Sequence, residues 1–202
     1  VVKLFEIGRA NQKLAKSGKK RIAAAIFDAD GDRFFRLEYD PFQDTVWVLC
    51  GDEAAILQAQ HLVSLNKQSG SLYINTVESD LNASTSAESM GLSPLLTAVG
   101  DKWILLKIRL ALLEKKLTTR KFPKEKLTQL KNKIKSLQKN GVTSVNTLLE
   151  LDASISEPMD TKKNEVLAVG SEETGHNITT GYLTLPNKKK IQVYSGNGVK
   201  CA

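Results

Sequence analysis

The sequence predicts an α/β fold in which a layered mixed sheet is flanked by helices and carries an inserted basic helical hairpin. Two observations lead to this prediction. Short apolar runs of strand length alternate along the chain with longer segments whose apolar residues recur every three or four positions. Two such helical segments follow each other near the middle of the chain and hold most of its excess positive charge. Alternation of this kind is typical of layered α/β domains.

The first 50 residues predict a helix followed by three strands. Residues 1–17 mix apolar and polar side chains at helical spacing and end at Gly18. The apolar run 22–27 stops abruptly in acidic residues, which predicts a buried strand with a loop at its carboxyl end. Residues 34–39 and 45–49 predict a pair of strands joined through Asp40 and Pro41.

From residue 51 the pattern alternates between helix and strand. Gly51 and Asp52 open a helix. Strand patterns follow at 71–77, 94–99 and 165–169, with weaker ones at 182–185 and at 191–194, where the lead-in to a helix is the alternative. Helical patterns cover 79–90, the stretch from Trp103 to about 117, and the stretch from Pro123 to Gly141, in which Leu127, Leu130, Ile134 and Leu137 form one apolar face. Residues 143–164 are polar and poorly patterned, so we expect a loop with some helix there.

The net charge of +7 is concentrated in the predicted hairpin. Residues 107–139 contain twelve Lys or Arg and two Glu, which leaves 17 basic and 20 acidic residues elsewhere. Phe122 alone interrupts the basic stretch as an aromatic, so the pattern favours a solvated helical face and argues against a nucleic-acid partner. A patch on this hairpin that binds a partner or a nucleic acid is the alternative.

Two further features bear on the compartment. No apolar run approaches the ~20 residues that a membrane-spanning helix needs, so no membrane partner is expected. Cys50 and Cys201 lie far apart and outside any Cys/His cluster, which predicts reduced thiols in a cytoplasmic protein.

The strongest chemical signal is an acidic loop directly after the predicted strand 22–27. Asp28, Asp30 and Asp32 stand at every second position, and Arg33 follows. If the loop curls, the three carboxylates can converge on one hard cation such as Mg²⁺, and the guanidinium beside them suits a phosphate. The loop is therefore a candidate phosphoryl-transfer site.

Three other interpretations of this loop compete with that one. An EF-hand needs Gly at loop position six and Glu at position twelve, where this chain has Arg33 and Tyr39, so that interpretation fails. A haloacid-dehalogenase-type phosphatase would use Asp28 as nucleophile and Asp30 as acid, but usually has Thr where Asp32 stands. A solvated acidic turn without function is the third interpretation.

The run from Ile26 to Arg33 resembles the metal loop of the α-D-phosphohexomutase superfamily, in which an Asp-x-Asp-x-Asp-Arg sequence follows a strand. By that resemblance Asp28, Asp30 and Asp32 are the ligands of Mg²⁺, and Arg33 contacts the transferring phosphoryl group. The resemblance implies that the intact protein interconverts hexose 1-phosphates and 6-phosphates through a phosphoserine and a bisphosphate intermediate.

Three other segments resemble the same family, in the same order. The run Gly170-Ser171-Glu172-Glu173-Thr174-Gly175-His176 is similar to its sugar-binding loop, which implies sugar contacts for Glu172, Thr174 and His176. The run Thr97-Ala98-Val99-Gly100-Asp101-Lys102 is similar to a turn of glucomutase-like members, which would place Gly100 and Lys102 at the substrate. The end of the chain, residues 195–200, is similar to the close of the family's third domain.

The chain lacks two parts that this family normally has. Neither histidine stands in a Ser-His-Asn-Pro motif, so the phosphoserine loop is missing, and so is the phosphate-binding run of the fourth domain. The resemblance therefore covers the end of domain two, residues 1–50, and domain three, residues 51–202, with a helical insertion at about 109–164. We expect the remaining mutase domains to belong to the same full-length chain and the present portion to be inactive alone. A non-enzymatic binding module that acts through the basic hairpin is a further alternative.

Overall fold

The computed structural model describes residues 1–66, 71–119, 121–140, 145–155, 168–188 and 190–198. It confirms the predicted α/β class, with a mixed sheet flanked by helices. The helices are α1 (Val2–Ala10), α2 (Gln12–Lys16), α3 (Gly51–Asn66), α4 (Leu81–Ser89), α5 (Asp101–Thr119), α6 (Lys124–Asn140) and α7 (Val145–Ile155). The strands are β1 (Ala23–Phe27), β2 (Phe34–Asp40), β3 (Thr45–Leu49), β4 (Leu72–Thr76), β5 (Ser93–Thr97), β6 (Ala168–Ser171), β7 (Asn177–Thr184) and β8 (Lys190–Gly196).

The first three strands form an antiparallel sheet in the order β1-β2-β3. Helices α1 and α2 lie against one face, where Leu4, Ile22, Leu37 and Tyr39 are buried together. The prediction of a buried strand over residues 22–27 was wrong for all but Ile22, because the five residues of β1 are exposed. An apolar run indicates a strand but does not show whether another strand pairs on its second side, and β1 stands at the edge of its sheet.

The other five strands form a mixed sheet in the order β5-β4-β6-β7-β8. The first three are parallel, and β7 and β8 continue the sheet antiparallel. Helices cover both faces of β4. Successive side chains of a strand point to opposite sides of the sheet, so neighbouring residues of β4 pack against different helices. Tyr73 packs with Ala83 and Ala87 of α4 on one side, whereas Ile74 packs with Ile104 and Ile108 of α5 on the other.

The basic segment folds as a helical layer outside α5. Its core is formed by side chains of α5, α6 and α7, namely Leu110, Leu113, Leu117, Leu130, Ile134, Leu151 and Ile155. The lysines of α6 are exposed, as expected for the polar face of an amphipathic helix. Helix α7 falls within residues 143–164, and the rest of that predicted loop, 143–144 and 156–164, lies outside the described residues. Among the described helices, none combines the length and apolar character needed to cross a bilayer.

Candidate functional site

Three loops meet at the carboxyl edge of the parallel strands. The turn after β5 holds Gly100, and the turn after β6 holds Glu172 and His176. Because the carboxyl ends of parallel strands lie at the same edge of a sheet, these two turns are neighbours. The acidic loop between β1 and β2 reaches the same place from the other sheet, where Arg33 forms an isolated antiparallel bridge with His176.

The acidic loop curls so that its carboxylates converge. Asp28 Oδ1 accepts hydrogen bonds from the backbone amides of Gly31 (3.0 Å) and Arg33 (3.3 Å). Ligand oxygens of Asp28, Asp30 and Asp32 all lie within 4.8 Å of one another. Desolvation by itself raises the pKa of Asp28, but the bonds from the Arg33 and Gly31 amides and from its acidic neighbours hold that pKa below its ordinary value. The loop therefore favours an ionised carboxylate at Asp28.

The donor set fits a hard divalent cation. The Oδ1 atom of Asp32 is buried and has no hydrogen-bond partner in the described part of the chain. A buried carboxylate oxygen without a partner is costly, because it has lost its water without gaining a donor. A cation held by Asp32 together with Asp28 and Asp30 would satisfy it, and oxygen-only ligation of this kind suits Mg²⁺.

The turn after β6 is organised by Glu172, whose side chain is nearly buried. Its Oε1 accepts a hydrogen bond from the backbone amide of Gly100. Its Oε2 lies 2.9 Å from His176 Nδ1 and 3.4 Å from the Thr174 hydroxyl, which donates to it. One carboxylate thus holds the turn after β5 and the turn after β6 together.

His176 connects this turn to the acidic loop. Its Nε2 lies 3.1 Å from Asp32 Oδ2 and 3.1 Å from Arg33 Nε. The first neighbour accepts hydrogen bonds and the second donates them, so each protonation state of the ring satisfies only one of the two. Arg33 Nε also lies 3.7 Å from Asp28 Oδ2. The imidazole therefore contacts residues of both predicted loops. Asp32, in the acidic loop, is 144 positions away from His176 in the sequence.

Backbone contacts support the same junction. The amide of Phe34 donates to the carbonyl of Gly175 at 3.2 Å. Gly175 has a φ of +95°, in the left-handed region that favours glycine, and a Cβ there would lie 2.9 Å from the Phe34 carbonyl oxygen. A larger residue at this position would push the turn away from β2.

The structure does not bring every sequence-predicted residue into this cluster. Lys102 is exposed, and its ammonium group lies 5.4 Å from the centre of the Trp103 ring, over its face. Thr174 does join the cluster through its bond to Glu172, and because the residue is exposed its hydroxyl is accessible to a ligand. Gly100 also joins the cluster, because its backbone amide donates a hydrogen bond to the Glu172 carboxylate.

Sequence reasoning missed a buried polar network behind the turn after β6. Asp52, at the start of α3, accepts from the Ser171 hydroxyl at 2.6 Å and from the Asp80 amide at 3.0 Å. The Tyr73 hydroxyl lies 3.3 Å from Ser171 Oγ, and burial raises the pKa of Tyr73 above its ordinary value. An acidic residue in the first turn of a helix was visible in the sequence, but its two partners come from β6 and from the residue that precedes α4.

A second missed contact involves the far end of the described chain. The amide of Gly198, just after β8, donates to the carbonyl of Gly31 at 2.9 Å. The segment after the last strand therefore supports the acidic loop through the backbone of Gly31. The sequence placed residues 195–200 in the resemblance but offered no sign of this contact, and residues 199–200 lie outside the described part of the chain.

Comparisons with known proteins concern the fold. No family model matches the chain, and neither does any curated protein. Among solved structures, it is similar to a phosphoglucomutase/phosphomannomutase family protein from Burkholderia thailandensis, with 15% identity over 98% of this chain and a TM-score of 0.46. It is also similar to an N-acetylglucosamine-phosphate mutase of the alpha-D-phosphohexomutase superfamily in its apo form, with 14% identity over 83% of this chain and a TM-score of 0.46. The chain spans 28% of the length of each.

Proposed function

We propose that this chain is the metal-binding and sugar-binding portion of a phosphohexomutase that interconverts hexose 1-phosphates and 6-phosphates. One observation carries the proposal. The acidic loop and the turn at Glu172 were singled out separately in the sequence, and His176 contacts Asp32 at 3.1 Å and Glu172 at 2.9 Å. A phosphoryl-transfer site needs its metal and its sugar contacts side by side.

The proposed roles follow from what each side chain faces. Asp28, Asp30 and Asp32 would hold Mg²⁺, which when bound supplies positive charge that stabilises a transferring phosphoryl group. Arg33 presents a planar guanidinium beside them and would contact phosphate oxygens. The side chain of Arg33 is 44% exposed, so its remaining donors are open to a ligand.

Sugar hydroxyls would be recognised by the turn after β6. Thr174 offers an exposed hydroxyl, and Glu172 offers a carboxylate whose Oε2 now faces His176. A sugar hydroxyl that donates to Oε2 would compete with His176 for that oxygen, so binding of the sugar and the position of the imidazole are coupled. Gly100, in the turn after β5, and Lys102, at the start of α5, would contact the substrate from the other side of the site.

The proposed activity belongs to the whole protein. The phosphoserine would come from one of the remaining mutase domains. The reaction would pass through a bisphosphate intermediate, and the protein would act in the cytoplasm. The remaining mutase domains and a hexose phosphate are therefore the proposed partners. The purified chain by itself is expected to bind Mg²⁺ and sugar phosphate without turnover, and mutase activity of the chain alone would contradict this assignment.

The metal part of the proposal is tested by isothermal titration of Mg²⁺ into the purified chain. Asp32→Asn removes one charged ligand and is expected to weaken Mg²⁺ binding by at least about 10–100-fold. That range is typical for the loss of residues that only hydrogen-bond to a metal ligand. Glu88→Gln is the control, because Glu88 is an exposed acidic residue of α4 and belongs to none of the three loops. Equal affinities for the wild type and Asp32→Asn would refute the metal assignment.

The sugar part is tested by NMR titration with glucose 1-phosphate in the presence of Mg²⁺. The expected result is shifts of the Gly100, Gly175 and His176 amides, which Thr174→Val should reduce. The phosphatase alternative makes a different prediction, since beryllofluoride would then form an acyl-phosphate mimic on Asp28. Trapping of beryllofluoride on Asp28 without any response to the sugar phosphate would replace the mutase proposal by a phosphatase.

A further inference from the structure

Two consecutive residues at the start of α3 hold the two residues that flank Glu172. The Asp52 carboxylate accepts a hydrogen bond from the Ser171 hydroxyl at 2.6 Å. The Gly51 amide donates to the Glu173 carbonyl at 3.2 Å. Glu172 stands between Ser171 and Glu173 in the sequence, so both of its neighbours are attached to the same helix start. The first residues of α3 therefore fix where the backbone of Glu172 lies.

Both ends of the bond between Asp52 and Ser171 are buried. Asp52 is 2% exposed, and Ser171 is fully buried. The other carboxylate oxygen of Asp52 accepts from the backbone amide of Asp80 at 3.0 Å, so each oxygen has a donor. Asp52 also stands in the first turn of α3, where the helix dipole favours a negative charge. Because burial excludes competing water, this charge-assisted bond is a strong link between α3 and the end of β6.

The direction of the Ser171 hydroxyl is fixed by its two neighbours. A serine hydroxyl has a single hydrogen to donate, and that of Ser171 points to Asp52. The Tyr73 hydroxyl, 3.3 Å from Ser171 Oγ, is therefore the donor in the second contact. Tyr73 belongs to the central strand β4, so the orientation of Ser171 is determined from the interior of the domain.

Glu172 transmits this order to the site. Its Oε1 accepts from the Gly100 amide, and its Oε2 lies 2.9 Å from His176 Nδ1. A sugar hydroxyl that donates to Oε2 needs that oxygen within hydrogen-bond distance, and a misplacement of about 1 Å breaks such a contact. Ser171 and Asp52 are both buried, so they act on a ligand only through Glu172.

We propose that Asp52 and Ser171 are positioning residues for sugar recognition, because the bond between them holds Glu172 where its carboxylate meets a sugar hydroxyl. The inference rests on the proposed function, which gives Glu172 its sugar contact. Ser171→Ala would leave a buried oxygen of Asp52 without a donor, and the start of α3 would have to shift to regain one. The acidic loop is held by its own amides at Asp28, so its metal site would not depend on this bond.

Two affinities of the 202-residue chain test the proposal: that for Mg²⁺, by isothermal titration, and that for glucose 1-phosphate in the presence of Mg²⁺, by NMR titration. Ser171→Ala should weaken sugar phosphate binding by about tenfold, the effect of one lost hydrogen bond to a charged group, and leave Mg²⁺ binding unchanged. Ser84→Ala is the matched control. It removes a hydroxyl that donates to Asn75 Oδ1 at 3.1 Å, away from the turn, and should leave both affinities unchanged.

A double-mutant cycle assigns the effect to the bond itself. Asp52→Ala should weaken sugar phosphate binding as Ser171→Ala does, and the double variant should bind no more weakly than either, because all three lack the same bond. Losses that add in the double variant would show that the two side chains act independently, and would overturn the proposal.

Amide hydrogen exchange of the chain without ligand gives a second measurement. The Gly100 amide, which donates to Glu172, should exchange faster in Ser171→Ala than in the wild type or Ser84→Ala. The Ile74 amide, in the central strand β4, should stay protected in all three, which verifies that the variants are folded.

The outcomes separate this inference from the proposed function. A wild-type chain that does not respond to glucose 1-phosphate would contradict the proposed function, and this inference with it. A responding wild type with equal sugar phosphate affinity in Ser171→Ala, or with Mg²⁺ and sugar phosphate affinities that fall together, would overturn the positioning role alone.

Discussion

At the residue scale, Glu172 does more for the architecture of the site than the sequence suggested. It was expected to face a sugar, but its carboxylate is nearly buried and accepts from Gly100 and contacts His176. A buried carboxylate with these partners stabilises both turns, whereas its neighbour Glu173 has an exposed side chain. Glu172 and Glu173 therefore allow the same substitution to be compared at a buried and at an exposed position.

Glu172→Gln is expected to reduce the free energy of unfolding by about 1–3 kcal/mol, because an amide NH₂ would oppose either the Gly100 amide or the His176 N–H and leave a buried donor unsatisfied. Glu173→Gln should change stability by no more than about 0.5 kcal/mol, as is usual for an exposed residue. Urea unfolding monitored by circular dichroism measures both. Similar losses for the two variants would show that burial of Glu172 has no energetic consequence.

A second residue-scale prediction concerns pH. Desolvation raises the pKa of Glu38, but hydrogen bonds and charge from Arg21 and Arg36 outweigh it and leave the pKa below its ordinary value. A lowered carboxyl pKa contributes stability above the unfolded-state value, and this contribution disappears as pH falls through the folded-state pKa. Glu38→Gln should therefore be less stable than the wild type near neutral pH, and the two should converge in acid.

Urea midpoints measured at about pH 7 and about pH 3 test this convergence. Glu6→Gln is the control, because the pair that Glu6 forms with Lys3 is exposed and a small effect is expected for it. A difference between wild type and Glu38→Gln that is the same at both pH values would contradict the assigned cause.

At the element scale, the start of α3 is pressed against the turn after β6. A Cβ at Gly51 would lie 1.9 Å from the carbonyl oxygen of Glu172, and the Gly51 amide donates to the Glu173 carbonyl at 3.2 Å. The Asn177 side chain also donates to the Gly51 carbonyl at 2.7 Å. These contacts fix the distance between the start of α3 and the turn after β6, and they therefore fix the position of Glu172 at the edge of the sheet.

Gly51→Ala should displace this turn and reduce stability by about 1–3 kcal/mol, the usual cost of an overpacked contact. Gly196→Ala is the control, because a Cβ there meets its nearest atom, Ile178 Cγ1, at 3.7 Å, an ordinary contact. Thermal unfolding gives the stabilities, and Mg²⁺ titration reports whether the acidic loop moves with the turn. Equal stability of the two variants would mean that the close approach relaxes without cost.

At the whole-molecule scale, positive charge is concentrated in one segment of the chain. The net charge of residues 107–139 is strongly positive, whereas the rest of the chain has 17 basic and 20 acidic residues. The lysines of α6 are exposed, and its apolar face is occupied by contacts with α5 and α7. The hairpin thus adds a basic outer face to a domain whose candidate site lies at the sheet edge.

This charge distribution predicts only weak, salt-sensitive association with nucleic acids. Fluorescence anisotropy with a labelled duplex should show binding at low salt that is lost near ~0.15 M, because phosphate contacts alone release counterions and depend steeply on salt. Replacing Lys131, Lys133 and Lys135 by Gln should remove the low-salt signal. Binding that persists at physiological salt in the triple variant would indicate a recognition surface elsewhere.

The sequence also had clear limits at this scale. Helical and strand periods predicted the order of elements and the α/β class, because hydrophobic periodicity reflects which side of each element is buried. The same signal fails for β1, where the apolar run predicts a buried strand but the strand is exposed at a sheet edge. Burial depends on what packs against a strand, and that information is not local.

By itself, the sequence determined the alternation of strands and helices, the basic hairpin and the candidate residues of three separate loops. Each of these depends on residue type and spacing within a short segment. Only the tertiary structure decided that His176 joins Asp32 to Glu172, that Gly198 supports the acidic loop and that Asp52 anchors Ser171. Contacts between residues more than a hundred positions apart arise from the packing of strands and helices, so no local pattern specifies them.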